Sequence, residues 1–277
     1  MKKQKYHLCL LYILASVILV IEAYPIIWTF LTSFKTQDEI RWSSSVALPQ
    51  SLNFDNYIHV LSESQLPLYF RNSIIVTFLT IFLLIILAST SGFALQKLRF
   101  HGQGLVLGLF MAGITIPIHV TLIPLFQIYR QTGLLNTHFS LILPQIGFNL
   151  PMSIYLFTAF YRFIPNELLE ASVIDGASIT KSFLRIILPM SKNTICTIVT
   201  MNAVFTWNEF IFANTFISDK ALKTVPVGLY DFVGEKGATD WGSTFSAISL
   251  VLLPILLICF IFSKQLTTGM AAGAIKE

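Results

Sequence analysis

Charge is scarce in this chain. Asp, Glu, Lys and Arg make up 12% of its 277 residues, about half the share of a soluble domain, so too few charged side chains exist to cover a water-facing globule. Cysteine is scarcer still: Cys9, Cys196 and Cys259 all fall inside apolar runs without paired spacing, which argues against a disulfide framework or a metal site. Each reads as a small hydrophobe packed between helices. The five histidines are scattered. No G-x-x-x-x-G-K-[ST] phosphate loop occurs, and the glycine runs at 228–236 and 269–276 have the wrong spacing for one. The chain is therefore not expected to bind or hydrolyse ATP. A nucleophile elbow, an H-E-x-x-H pair and any clustered His, Cys and acid set are also missing, so neither enzymatic chemistry nor a cofactor is expected. The net charge of +4 is too small and too dispersed for a nucleic-acid partner.

What the chain has in abundance is apolar sequence, 55% of all residues. A bilayer core is crossed by about 20 mostly apolar residues in a helix. Six stretches qualify, at 8–32, 70–95, 104–128, 139–161, 192–217 and 243–263. The expected fold is all-α: a polytopic membrane protein of six transmembrane helices surrounded by lipid, with residues 1–277 as one transmembrane domain. The basic start, Met1 to His7, leads into an apolar run too long for a cleaved signal and lacks a small-residue cleavage site, so it reads as a first, uncleaved span. Lysine and arginine set the orientation. With the N-terminus inside, eleven of the 18 basic residues lie on the inner side (Lys2, Lys3, Lys5, Lys97, Arg99, Arg162, Lys181, Arg185, Lys192, Lys264 and Lys276). Seven lie outside (Lys35, Arg41, Arg71, Arg130, Lys220, Lys223 and Lys236). Both termini are thus expected in the cytoplasm. Lys97 and Arg99, in a tight inner turn, read as topology signals.

The middle spans carry helix breakers and polar groups. Pro117 and Pro124 are expected to interrupt the third span, and Pro144 and Pro151 the fourth, a pattern tolerated in a membrane where other helices or a water-lined cavity supply hydrogen-bond partners. Glu209 in the fifth span is a functional candidate by default, because a carboxylate at membrane depth is costly. A structural or gating role is favoured for it over direct solute contact. Asn202 and Asn208 are candidates for interhelical hydrogen bonds. Trp207 and Phe210 are either core aromatics or a stacking surface. These five form a candidate translocation path or gate.

Between two apolar runs lies a polar segment of its own helical pattern, 163–190. Pro165 suits a helix start, Glu167 and Glu170 suit its first turn, and Asp175-Gly176 reads as a stop through a left-handed glycine. Ser178 is placed to cap a second short helix with Phe183, Leu184 and Ile187 on one side, and Pro189 closes the unit. Two short amphipathic helices hinged at a glycine make a lever; the plainer reading is a hairpin lying on lipid headgroups.

Glu170-Ala171-Ser172, Asp175-Gly176-Ala177 and Ile187-Leu188-Pro189 resemble the EAA loop, E-A-A-x-x-D-G-A then hydrophobe-Leu-Pro, of permease subunits in binding-protein-dependent ABC importers. Ser172 departs from the family's third alanine, a small-for-small change. The resemblance implies that 163–190 docks in a groove on the cytoplasmic ATPase, with Glu170, Ala171, Ser172, Asp175, Gly176, Ala177, Phe183, Leu188 and Pro189 as coupling residues. Trp207-Asn208-Glu209-Phe210 resembles a W-N-E-F signature of the sugar-importing branch. Gly269, Gly273, Ala274, Ile275 and Lys276 resemble the family's tail, which in the maltose branch contacts the ATPases; Glu277 stands where glycine is usual. The implied partners are a second homologous permease, two ATP-binding subunits and an extracytoplasmic sugar-binding protein, and the implied solute is a sugar, an oligosaccharide or glycerol phosphate. The outer segment 34–69 reads equally as a face for the binding protein or as an interfacial loop with aromatic anchors. Two other function classes stay open: an ion-coupled secondary transporter, for which paired intramembrane charges and inverted repeats would be wanted, and a membrane-embedded enzyme or scaffold.

Overall fold

The computed structural model describes the backbone of residues 2–232 and 239–274, and the side chains of residues 8–232 and 239–262. All regular structure among them is helical. In chain order the helices are α1 (Lys2–Ser33), α2 (Gln37–Trp42), α3 (Asp55–Ser62), α4 (Leu66–Lys97), α5 (Gln103–Gly113), α6 (Ile118–Thr132), α7 (Phe139–Arg162), α8 (Asn166–Ile174), α9 (Ile179–Ser182), α10 (Leu188–Met190), α11 (Lys192–Trp207), α12 (Ile211–Phe216), α13 (Val225–Gly228) and α14 (Trp241–Ala274). The chain forms two compact units, Met1–Pro67 with Gly228–Leu253, and Leu68–Val227 with Pro254–Glu277.

Among the described residues, four helical stretches are long and apolar enough to cross a membrane: Leu8–Ser33, Leu66–Lys97, Phe139–Arg162 and Trp241–Phe262. The expected third span is a pair, α5 and α6, bent by 96°. The bend falls between Gly113 and Ile118, where Pro117 has no N–H to donate and disfavours a helical residue before it. Pro124 lies inside α6 and does not break it. The fourth span departs from expectation more plainly. Pro144 and Pro151 are both inside α7, which runs unbroken for 24 residues. Twelve of its residues are buried, and burial among other helices outweighs a local breaker. The expected fifth span, 192–217, is itself divided. α11 has 16 residues, and α12 follows after the interruption at Asn208–Phe210.

In the first unit, α2 opens with a reciprocal cap: the Glu39 N–H donates to Thr36 Oγ1 at 3.2 Å, and the Thr36 N–H to Glu39 Oε2 at 2.8 Å. The Thr36 and Gln50 N–H groups hold the Glu39 carboxyl below its ordinary range. Asn56 Nδ2 donates to the Ser33 and Lys35 carbonyls, both at 2.9 Å, so α3 is fastened to the end of α1.

The second unit holds the continuous core, with Leu84, Leu141, Ile154, Phe157, Tyr161 and Ile198 each fully enclosed. Here α4 and α7 run parallel, as contacts of rising residue number on both helices require: Gly92 meets Phe157, Phe93 meets Tyr161 edge-on at 6.3 Å, and Lys97 bonds the Ile164 carbonyl. Gly92 permits the crossing. A Cβ there would lie 2.7 Å from Phe157 Cβ and 3.4 Å from the Thr158 nitrogen. Asn136, with a left-handed φ of 56°, accepts from the Ser218 and Asp219 N–H groups and donates to Ser218 Oγ at the other end of the unit. Asn72 Nδ2 bonds the Ala221 and Lys223 carbonyls nearby in sequence to that strap.

Because neither backbone at the crossing has a flexible side chain to displace, Gly92→Ala is expected to force α4 and α7 apart at a cost of about 1–3 kcal/mol, the range for overpacking a close contact. A thermal melt of the detergent-solubilised protein measures this, and an unchanged midpoint would show that the two helices can yield.

Candidate functional site

The segment 163–190 folds as its local chemistry dictates. Pro165 is the residue before the first turn of α8, and Glu167 lies within that turn; Glu170, expected there too, falls in the second turn because the helix starts at Asn166. At the other end the Gly176 N–H reaches the Val173 carbonyl at 3.0 Å and the Ala177 N–H reaches the Ser172 carbonyl at 2.9 Å. This paired closure needs a left-handed residue, and Gly176 supplies it with φ of 81°. Five residues further on, the Lys181 N–H donates to Ser178 Oγ, capping α9. The stop and the restart are therefore where the sequence puts them.

Burial sorts the nine expected coupling residues into two groups. Glu170, Ala171, Asp175, Gly176 and Pro189 are exposed, and Ala177 and Leu188 are half-buried. Ser172 and Phe183 are buried instead. Ser172 Oγ and Ser182 Oγ lie 2.7 Å apart, so a hydroxyl pair joins α8 to α9 across the Gly176 stop. Alanine at the third position has no hydroxyl to offer such a clasp. Phe183 packs on Phe93 of α4 with ring centroids 4.9 Å apart. The shared apolar face expected for Phe183, Leu184 and Ile187 is corrected at one position: Leu184 is 52% exposed. Residues Phe183–Ile187 form a π-turn, with the Leu188 N–H on the Phe183 carbonyl; Phe183 and Ile187, four residues apart, share the inner face, and Leu184, one residue on from Phe183, is turned off it. The outward side of the segment is apolar at Ile174, which is 84% exposed, and at Val173, Ile179 and Leu184.

A lysine that sequence reasoning assigned to topology completes the geometry. Lys97 Nζ donates to the Ile164 carbonyl and, at 2.8 Å, to Asn166 Oδ1 in the first turn of α8. No local pattern signals a pairing between residues this far apart in the chain; a donor in the last turn of a helix was the only available hint.

The second candidate group is a helix break. Glu209 follows the end of α11, and its carboxylate accepts the Phe212 N–H at 2.7 Å and the Ala213 N–H at 3.2 Å, capping α12. Trp207 is 4% exposed and meets Phe70 edge-on at 5.6 Å, which leaves no open indole face for a ring to stack on. Phe210 is half-buried at the start of α12. The amides of Asn202 and Asn208 donate to the Ile198 and Val204 carbonyls of their own helix, each at 2.8 Å. Interhelical bonds were expected of them, but a carbonyl one turn back is nearer than any other helix. Of the tail, Gly273 and Ala274 fall in the last turn of α14, while Ile275 and Lys276 lie outside the described residues.

The model of the family described as "binding-protein-dependent transport system inner membrane component" matches residues 85–272, and the chain belongs to that family. Its members are transport subunits, membrane components of ABC importers that work with ATPase subunits and a binding protein. A probable ABC transporter permease, YurM of Bacillus subtilis, is 35% identical over 92% of this chain and 84% of its own. The trehalose/maltose transport permease MalG of Thermococcus litoralis is 32% identical over 96% of both. The diacetylchitobiose uptake permease NgcG of Streptomyces coelicolor is 30% identical over 96% of this chain and 87% of its own. A chain from the crystal structure of a bacterial ABC transporter involved in alginate import shares the fold, with a TM-score of 0.84 over 95% of this chain and 98% of that one at 19% identity.

Removing the Glu209 acceptor leaves two N–H groups at the start of α12 without a partner. Glu209→Ala is expected to cost about 1–2 kcal/mol, as lost helix caps do, and Glu209→Gln less, since an amide oxygen still accepts. Thermal midpoints of the two solubilised variants give the order; equal loss would show that the charge rather than the cap matters.

Proposed function

We propose that this chain is the membrane-spanning subunit of an ATP-driven sugar importer, most simply one for an oligosaccharide. The observation that carries the reading is the segment 163–190: a capped, glycine-stopped pair of short helices, anchored inward by Ser172, Phe183 and Ile187 and apolar outward at Ile174. Such a face is built to sit in a groove of another protein. Support for sugar as the solute comes from the printed names of two relatives, the trehalose/maltose and diacetylchitobiose permeases.

In this reading the whole chain acts as one six-span domain, with the divided pairs α5–α6 and α11–α12 each counting as a crossing. Both termini and 163–190 face the cytoplasm, the side favoured by the lysine and arginine distribution. The partners are a homologous permease, two ATP-binding subunits that accept the coupling segment, and an extracytoplasmic sugar-binding protein. Glu170, Ala171, Asp175, Gly176 and Ala177 shape the docked surface, and Phe183, Leu188 and Pro189 link it to the spans. ATP closes the ATPase pair, the groove moves, and the spans shift from inward- to outward-facing, a population shift driven by preferential binding to one state. Trp207, Asn208, Glu209, Phe210 and Asn202 hold the broken helix beside the translocation path and act on its gate. The tail from Gly273 to Lys276 makes a second contact with the ATPases.

Reconstituted with its partners, the complex is expected to accumulate one of a panel of sugars only when ATP is supplied; uptake that follows an ion gradient and ignores ATP depletion would establish a secondary transporter instead. Gly176→Pro cannot adopt the left-handed backbone and is expected to abolish ATP-driven uptake while the chain still inserts. Ile174→Asp places a charge on the docking face, so the ATPase subunits should co-purify in clearly reduced amount. Wild-type recovery of the ATPases with this variant would move the contact elsewhere.

A further inference from the structure

We propose that Lys97 is a positioning residue for transport: it ties α4 directly to the coupling segment, so that displacement of that segment enters α4 as well as the two spans joined to it by the chain. The inference rests on the coupling role given above to 163–190.

The coupling segment is continuous with α7 at one end and with α11 at the other. Nothing in chain connectivity gives it a hold on α4. The side chains do. Lys97, in the last turn of α4, donates to the Ile164 carbonyl and to Asn166 Oδ1, which brackets the entry into α8 from both sides of Pro165. One turn back along α4, Phe93 packs against Phe183 in the second half of the segment. Both halves of the lever, before and after Gly176, are therefore attached to the same short stretch of α4. A charged donor held by two acceptors resists sliding in a way that aromatic packing alone does not. At Gly92 the same stretch of α4 is pressed against α7 too closely to slip.

Lys97 also belongs to the inner positive charges, so the test must separate a strut from a topology signal. Three variants of the full reconstituted complex do so. Lys97→Met keeps the length and loses the bonds. Lys97→Arg keeps the charge and the donors. Lys97→Met combined with Gln96→Arg keeps the charge count but not the strut. The sugar moved per ATP hydrolysed should fall roughly three- to tenfold in the first and the third, while ATPase subunits co-purify at the wild-type level, and Lys97→Arg should recover at least half. A fully active third variant, or an arginine variant as poor as the methionine one, overturns the strut. Asn166→Ala should cause a smaller loss and none further in the Lys97→Met background; multiplying losses would mean that the two residues act separately.

A readout independent of transport distinguishes this proposal from the functional reading. With Cys9, Cys196 and Cys259 replaced, spin labels at Thr90 and Lys181 report the distance from α4 to the coupling segment. That distribution should broaden in Lys97→Met and stay narrow in Lys97→Arg. If it does so in a complex that shows no ATP-driven uptake, the strut stands and the importer reading falls. An unchanged distribution in an actively importing complex removes the strut alone.

Discussion

Within hydrocarbon, every backbone N–H and C=O must find a partner in the protein itself, and that demand explains where this chain departs from simple rods. Continuous helix is given up at two places in the apolar sequence of the second unit, between Gly113 and Ile118 and at Asn208–Phe210. At the second, the N–H groups of Ile211, Phe212 and Ala213 precede the first intrahelical bond of α12, from the Asn214 N–H to the Phe210 carbonyl, and have no carbonyl one turn back. Glu209 provides oxygens for two of them. The carboxylate that looks so costly in a spanning sequence is thus spent on a need created by the break beside it. Its neighbours follow the same logic: Asn202 and Asn208 return their amide hydrogens to their own helix.

The segment 163–190 obeys different rules, those of short helices that must hold their shape. Helices this short are marginal alone. Here each end is fixed by a specific device: the Ser178 cap, the closure over Gly176, and the Ser172–Ser182 hydroxyl pair. The three hydrogen bonds of that pair, to each other and to the Leu169 and Ser178 carbonyls, share only two hydroxyl protons. One link is always without its proton, so the Oγ–Oγ bond forms only when one of the two hydroxyls gives up its own carbonyl. What remains outward is apolar surface at Ile174 and its neighbours, a face suited to a groove of another protein or to the lipid interface.

The lever was legible in the sequence because its determinants are local. A left-handed stop shows as Asp175-Gly176, a cap shows as Ser178, and each acts within a few residues. Four of the six expected crossings were legible too, as single helices long and apolar enough among the described residues, since length and composition alone mark one. What escaped depended on packing. Pro144 and Pro151 look like interruptions, yet α7 runs through both. The W-N-E-F stretch looks like part of one continuous span, yet it is the joint between α11 and α12. The π-turn at Phe183–Ile187 and the bond from Lys97 to Asn166 leave no periodic trace, because one is a small winding change and the other joins positions on different helices.

These attachments differ in stiffness, and the difference bears on how motion is divided. α4 and α7 touch at Gly92 with no room for a methyl group, and α4 is fixed to both halves of the lever by Lys97 and Phe93. On the coupling reading, those two helices and α8 move as one piece. α11 is joined otherwise: a π-turn and the three residues of α10 stand between α9 and its start. Single π-turns of this kind interrupt α-helices and are frequent at functional sites. α11 also packs directly on α7, so the change of course at Phe183–Ile187 lies within one packed core. The far end of α11 is the Glu209 joint, and on the coupling reading displacement of the segment reaches that joint through α11.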